Sequence, residues 1–141
     1  MSDRFELQRF VDAQDAGGTY ETALRELRTG RKRSHWMWFV FPQIAGLGRS
    51  GTAQFYAISG RSEAEAYLAH PVLGPRLLEC THALAELSET SAVAVLGPVD
   101  AQKLRSSMTL FAHAAPHEQV FTTVLSKFFV GEPDEGTTER L

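Results

Sequence analysis

Asp100, Lys103 and Ser107 recur at the i, i+3, i+7 spacing that stacks side chains along one flank of a helix. At 100° per residue, with Asp100 at 0°, Lys103 falls at about −60° and Ser107 at about −20°. Leu104, Phe111 and Met108 fall at about +40°, +20° and +80° on the same count, so the polar trio borders the apolar face and partly overlaps it. Charges placed there must be paired or meet a ligand. In a site, Lys103 would hold an anion and Asp100 would polarise a water or hydroxyl. The plainer reading is an i, i+3 surface ion pair.

A second constellation lies early in the chain. The basic run Arg31-Lys32-Arg33 leads directly into Ser34-His35-Trp36-Met37-Trp38-Phe39-Val40-Phe41-Pro42-Gln43. Aromatic density beside concentrated positive charge fits either a rigid buried centre or the wall of a pocket for a flat, anionic ligand. If the run is extended, alternation sends Trp36 and Trp38 to one side, where one indole could stack on a base. His35 could bind phosphate when protonated, or hydrogen-bond a backbone carbonyl. Gly46, Gly48 and Gly51 follow as G-x-G-x-x-G. A dinucleotide fold would need those glycines at a strand-to-helix turn, followed by a second parallel strand ending in an acid. Pro42 breaks the candidate strand, and Glu63 and Glu65 come early in a helical pattern. The glycines therefore read as a loop of close backbone approach, with a cradle of N–H groups for phosphate as the functional alternative.

Other chemistries find little support. Cys80 is alone, which excludes an intramolecular disulfide and a thiolate cluster, and it shares the Leu77–Leu84 face as a core residue. No H-E-x-x-H or comparable spacing indicates a metal, and no cofactor is indicated. Ser34, Ser50, Ser106 and Ser107 lack a G-x-S-x-G context. No apolar run approaches the roughly 18 residues needed to span a bilayer. The N-terminus lacks a signal peptide's apolar core, so a cytoplasmic location is expected. The net charge of −3 gives no global pull toward nucleic acid. Charge is nevertheless polarised: Arg25, Arg28, Arg31, Lys32 and Arg33 fall within nine residues, whereas Glu132, Asp134, Glu135 and Glu139 crowd the C-terminus. Anionic partners should dock near residues 25–35.

The elements that must position these groups are helices. Asp3-x-x-Glu6 and Ser62-x-x-Glu65 read as capping boxes. Gly17-Gly18 breaks a first helix, and Thr19 can cap a second carrying the stripe Tyr20, Ala23, Leu24, Leu27, with Gly30 at its C-terminal cap. The 36–41 run is either a short buried strand or a helical turn. Further helices are predicted through Thr52–Ile58, to Leu68, from Pro75 along Leu77, Cys80, Leu84 and Leu87, at Ser91–Leu96, from Pro98 to about Ala112, and through Val120–Phe128. Residues 1–141 are expected to form a single compact multi-helix domain of the all-α class.

Several of these strings resemble a bacterial domain-of-unknown-function family over nearly the whole chain. They are Gly30 to Gln43 with Gly46-Leu47-Gly48, then Tyr56-Ala57-Ile58, Glu65 to Leu68 with His70-Pro71, Leu73 to Leu77, and Lys103 to Phe111. The resemblance implies a small all-helical domain; the family includes a mycobacterial conserved hypothetical protein of known structure. Some members are labelled calpastatin, whose inhibitory segments are disordered, whereas this chain is built to fold. The pattern Asp100-x-x-Lys103, Met108, Phe121 to Phe129 and Gly131 is similar to the C-terminal half of NADAR domains. Those are helical proteins linked to ADP-ribose and to cleavage of N-glycosidic bonds. That likeness implies that Asp100 and Lys103 match the family's Asp and Lys. The chain has no obvious counterpart of the NADAR Glu-His pair near the aromatic segment, so binding is implied more directly than catalysis.

Together these readings point to a domain that binds, and could hydrolyse, a nucleotide-like or ADP-ribose-like molecule. Arg31, Lys32, His35, Trp36, Trp38, Gln43, Gly46, Gly48 and Ser107 are the binding candidates, and Asp100 and Lys103 the catalytic ones. The competing reading is a non-catalytic interaction domain, a monomer or small homo-oligomer, in which the aromatic segment is purely core. Nucleic-acid binding through the single basic run ranks last.

Overall fold

The computed structural model describes residues 3–141. Its helices are α1 (Gln8–Asp15), α2 (Thr19–Thr29), α3 (Met37–Val40), α4 (Gly51–Phe55), α5 (Arg61–Ala69), α6 (Leu73–Glu86), α7 (Ala92–Leu96), α8 (Pro98–Ala114), α9 (Gln119–Phe129) and α10 (Glu135–Thr138). No named strand occurs among the described residues. One isolated parallel bridge joins Ile44 to Ile58.

Helix α8 lies at the centre, packed by α5, α7, α9 and α10, while α6 packs on α2, α5 and α9. A line of rings joins the elements. Phe10 meets Tyr67 edge-on at 5.1 Å, Tyr67 meets Phe111 at 5.4 Å, and Phe111 meets Phe121 at 5.8 Å. These tilted and edge-on contacts, which suit the quadrupoles of the rings, tie α1, α5, α8 and α9 into one core.

Local chemistry explains most boundaries. The α2 stripe Tyr20, Ala23, Leu24 and Leu27 is buried as its spacing predicts. Gly30 ends the helix at φ 79°, and the Gly30 and Arg31 N–H groups bond back to the Leu27 and Glu26 carbonyls. That is a Schellman closure, and it satisfies carbonyls the helix would otherwise leave bare. Pro98 opens α8 at its first residue, where the missing N–H costs nothing. Lys127 reaches from α9 to the Leu84 and Ala85 carbonyls at 3.0 and 2.9 Å, and to that of Leu87, closing the end of α6.

Some expected details differ. The 36–41 run is a helical turn, so Trp36 and Trp38 do not share a side: Trp36 is buried and Trp38 half-buried. Asp3 does receive the Leu7 and Gln8 N–H groups, at 2.7 and 2.8 Å, but Glu6 turns out at φ 55° and does not complete a box. Thr19 is the first residue of α2 rather than its cap, because Gly18 takes the cap position in the left-handed region. The Ser62-x-x-Glu65 box is replaced by Glu63, whose carboxylate accepts the Ser59 N–H at 2.8 Å and the Arg9 guanidinium at 2.9 Å. Arg9 also donates to the Phe55 and Ala57 carbonyls, at 2.8 and 2.9 Å, and so stitches α1 to the α4–α5 connection.

Candidate functional site

The site begins at Glu26. At 100° per residue it lies about 60° from Ala23, on the edge of the α2 stripe. There it is buried and faces the segment that follows the helix. Its Oε1 accepts the Arg33 N–H at 2.9 Å, the Ser34 N–H at 3.1 Å and the Trp36 indole N–H at 2.9 Å, and its Oε2 accepts the Ser34 hydroxyl at 2.6 Å. Burial works against the charged form, but the Ser34 hydroxyl, the Arg33 N–H and the indole outweigh it and hold the carboxyl near a pKa of about 2. One carboxylate thus folds residues 33–36 around itself. Residue type alone does not single it out; its signal in the sequence is an acid on the edge of an apolar stripe, ten residues before a tryptophan.

With the segment fixed, Lys32 is directed inward. Its N–H bonds the Val95 carbonyl at 2.8 Å, and its ammonium lies 5.1 Å from the centre of the Trp36 ring and 2.8 Å from Asp100 Oδ2. Asp100 Oδ1 lies 3.7 Å from the Lys103 ammonium, which sits 4.8 Å from the centre of the Trp38 ring. Both ammonium–ring distances fall within cation–π range. Two cations therefore flank one carboxylate, and each covers an indole. Asp100 and Lys103 are 19 % and 21 % exposed, so the cluster opens to solvent on the Trp38 side, whereas Lys32 is sunk to 9 %. Oδ1, beyond hydrogen-bond distance of Lys103, is the carboxylate oxygen available to a ligand hydroxyl or water.

Ser107, one turn past Lys103, is fully buried, and its hydroxyl has no partner within the protein. A buried unsatisfied hydroxyl is uncommon, and with no exposed surface Ser107 does not line the open side of the cluster. On the far side of the segment, the Phe39 carbonyl accepts from Gln14 Nε2 at 2.8 Å and, more weakly, from the buried Tyr67 hydroxyl at 3.4 Å. The aromatic turn is therefore clamped at both ends.

The remaining candidates divide. Trp36 has no exposed surface, so its ring cannot stack on a ligand; it is core, and any stacking falls to Trp38. His35 is exposed. The basic triplet does not act as one patch, because Lys32 turns inward while Arg31 and Arg33 stay outside. Gln43 is half-buried and its carbonyl accepts the Ile58 N–H at 2.8 Å. Gly46, at φ 100°, lies under the Arg140 side chain, and a Cβ there would come within 2.7 Å of Nε. A Cβ on Gly48 would come within 2.4 Å of the Ala53 methyl. Both glycines admit the protein's own side chains, which answers for their occurrence without a phosphate cradle. The dinucleotide reading fails with them, since no strand precedes the loop.

Cys80 is fully buried, and burial pushes its thiol up to about 12, as befits an inert core residue. No group of three or more His, Cys, Asp or Glu side chains placed to hold a metal occurs among the described residues. No described helix is long and apolar enough to cross a membrane.

An all-helical domain with a lysine–aspartate–lysine cluster capping a tryptophan turn is the class these observations define. The family model described as a protein of unknown function, DUF1810, matches residues 4–141, and the chain belongs to that family. It is similar to the crystal structure of the conserved hypothetical protein Rv1873 from Mycobacterium tuberculosis, with a TM-score of 0.95 and 50% identity, covering 99% of this chain and 98% of that one. No curated protein matches the sequence. The resemblance to a bacterial domain-of-unknown-function family is borne out, in family and in all-helical fold.

Proposed function

We propose that the chain binds a nucleotide-like or ADP-ribose-like small molecule at the cluster of Trp38, Asp100 and Lys103. One observation carries the reading: residues 65 positions apart in the chain, Trp38 and Lys103, come together at 4.8 Å beside a carboxylate that a second lysine holds in place. In this reading Lys103 moves from the indole to a ligand anion, Trp38 offers the ring face so uncovered, and Asp100 Oδ1 accepts a ribose hydroxyl. The likeness of the Asp100-x-x-Lys103 pattern to NADAR domains supports the same ligand class. Hydrolysis is the further step of this reading, with Asp100 orienting the attacking water.

A ligand bound by the native state alone raises stability, by about 2.7 kcal/mol at 100 times its Kd. A thermal-shift series with ATP, NAD and ADP-ribose should therefore raise Tm by about 5–10 °C at that excess for at least one compound. Lys103→Met should lower the affinity about 10-fold, the worth of one charge-assisted hydrogen bond. Asp100→Asn should abolish any release of free base while leaving binding measurable. The second reading, a non-catalytic interaction domain, draws on the complete burial of Trp36, Met37, Val40 and Phe41. Absence of any shift at millimolar ligand would favour it.

A further inference from the structure

We propose that the depression lined by Arg25, Glu26, Thr29, Arg31 and Arg33, about 470 Å³ in volume, is a binding site for a phosphomonoester or diphosphate. The inference rests on the preceding reading and deepens it by assigning a second anionic group of the ligand, beyond the one that Lys103 meets. It rests on different residues from the Lys103 cluster.

The charge balance singles out this place. Five basic residues fall between positions 25 and 33. Arg28 is paired with Glu79 at 3.6 Å and Lys32 with Asp100 at 2.8 Å. Arg25, Arg31 and Arg33 are exposed and have no carboxylate within 4.0 Å among the described residues. Glu26 forms part of the lining, but its oxygens already accept four hydrogen bonds, from Arg33, Ser34 twice and Trp36. It stays where it is and cannot swing up to neutralise the guanidinium groups. Three positive charges thus face one buried negative charge, and the surplus is positive.

The frame is also rigid. The Arg31 N–H bonds the Glu26 carbonyl at 3.0 Å, the Lys32 N–H bonds that of Val95 at 2.8 Å, and the Arg33 N–H bonds Glu26 Oε1 at 2.9 Å. Three consecutive backbone groups are held, so binding need not order the loop, and the entropic cost of binding falls accordingly. The Schellman closure keeps the α2 carbonyls turned back on the helix and away from an incoming anion. Thr29 contributes no donor, because its hydroxyl bonds the Glu26 carbonyl at 3.0 Å. The donors left are guanidinium N–H groups, whose fork matches pairs of phosphate oxygens. A phosphate with three terminal oxygens can engage all three arginines; a single carboxylate would leave at least one unmatched.

The depression and the Lys103 cluster are neighbours through Glu26. Its Oε1 receives both the Arg33 N–H and the Trp36 indole N–H, and Lys32 over that indole reaches Asp100.

Calorimetric titration with inorganic pyrophosphate tests the inference. The wild-type chain should bind it, and R31Q/R33Q should bind at least about 10-fold more weakly. Those two side chains are exposed and the backbone bonds of the loop survive the change, so the double variant should keep the wild-type Tm. R105Q, which removes a guanidinium already paired with Glu132, should bind pyrophosphate as the wild type does. No binding at about 10 mM pyrophosphate, well beyond any Kd of functional interest, would overturn the site. So would equal affinity in R31Q/R33Q. If K103M loses pyrophosphate and R31Q/R33Q does not, the anion lies at the Lys103 cluster; this inference then fails while the proposed function stands. Tighter binding of a single-stranded oligonucleotide than of pyrophosphate, with steep salt dependence, would overturn the small-ligand assignment.

Discussion

Glu26 shows how a single side chain organises this molecule. Its carboxylate is worth more as an acceptor than as a charge, because four donors converge on it in a buried place. Glu26→Gln offers one oxygen where two are needed and adds an unwanted donor. It should cost about 2–4 kcal/mol, measured by urea denaturation at pH 7. The pH dependence has a definite sign. The folded carboxyl is held near 2 against its ordinary 4.5. Its stabilisation is fully present above pH 4.5 and is lost as pH falls toward 2. Asp3, lowered by the Gln8 and Leu7 N–H groups, adds a contribution of the same sign. The wild-type urea midpoint should therefore fall steeply between pH 4.5 and 2, and Glu26→Gln should show a shallower fall; parallel curves would contradict the account. Cys80 belongs to the same scale. With its thiol raised by burial, it should resist alkylation in the native state at pH 8 and react only at the rate of unfolding, as followed by mass spectrometry.

Helices were legible in the sequence wherever apolar period and cap residue agreed. The α2 stripe with Gly30, the Pro98 start of α8 and the Val120–Leu125 face of α9 all follow from spacing. Elements whose form is decided by distant partners were not legible. Whether 36–41 was strand or helix depended on Glu26, ten residues before Trp36, and on Gln14 and Tyr67, 25 and 28 residues from Phe39. The α10 turn was invisible because it is a single turn, capped by Asp134 and seated against Thr109 of α8, whose hydroxyl accepts the Asp134 N–H at 2.9 Å. Glycines carried a message that the motif reading obscured. Gly74 sits where a Cβ would lie 2.1 Å from the Leu68 carbonyl oxygen, a backbone atom that cannot yield. Gly74→Ala should force α5 and α6 apart and destabilise the domain by at least about 2 kcal/mol, the scale of an overpacked core. Gly48→Ala meets only the Ala53 methyl, so the double variant with Ala53→Gly should recover part of its loss. The comparison is made by denaturation midpoints of the two single variants and the double.

Across the whole molecule, the candidate site was half legible. The polar flank of α8 and the aromatic segment were each marked by residue type and spacing, and Trp38 and Lys103 meet at 4.8 Å. The division of labour was not legible. Trp36 and Lys32 became interior, Arg31 and Arg33 stayed outside, and the acid that separates them lay on an earlier helix. Sequence patterns report which face of an element is apolar, but only packing decides which of two neighbouring charges finds a partner. The result is a molecule whose positive surplus sits around the C-terminal end of α2, while Asp100 holds two lysines against two indoles a short distance away.

The most direct measurement is calorimetric titration of ADP-ribose into the wild type, K103M and Trp38→Phe. The account predicts saturable binding to the wild type and about 10-fold weaker binding to K103M. Trp38→Phe should give an intermediate loss, with all three proteins melting cooperatively. Equal affinity in wild type and K103M, or no heat with the wild type, would contradict it.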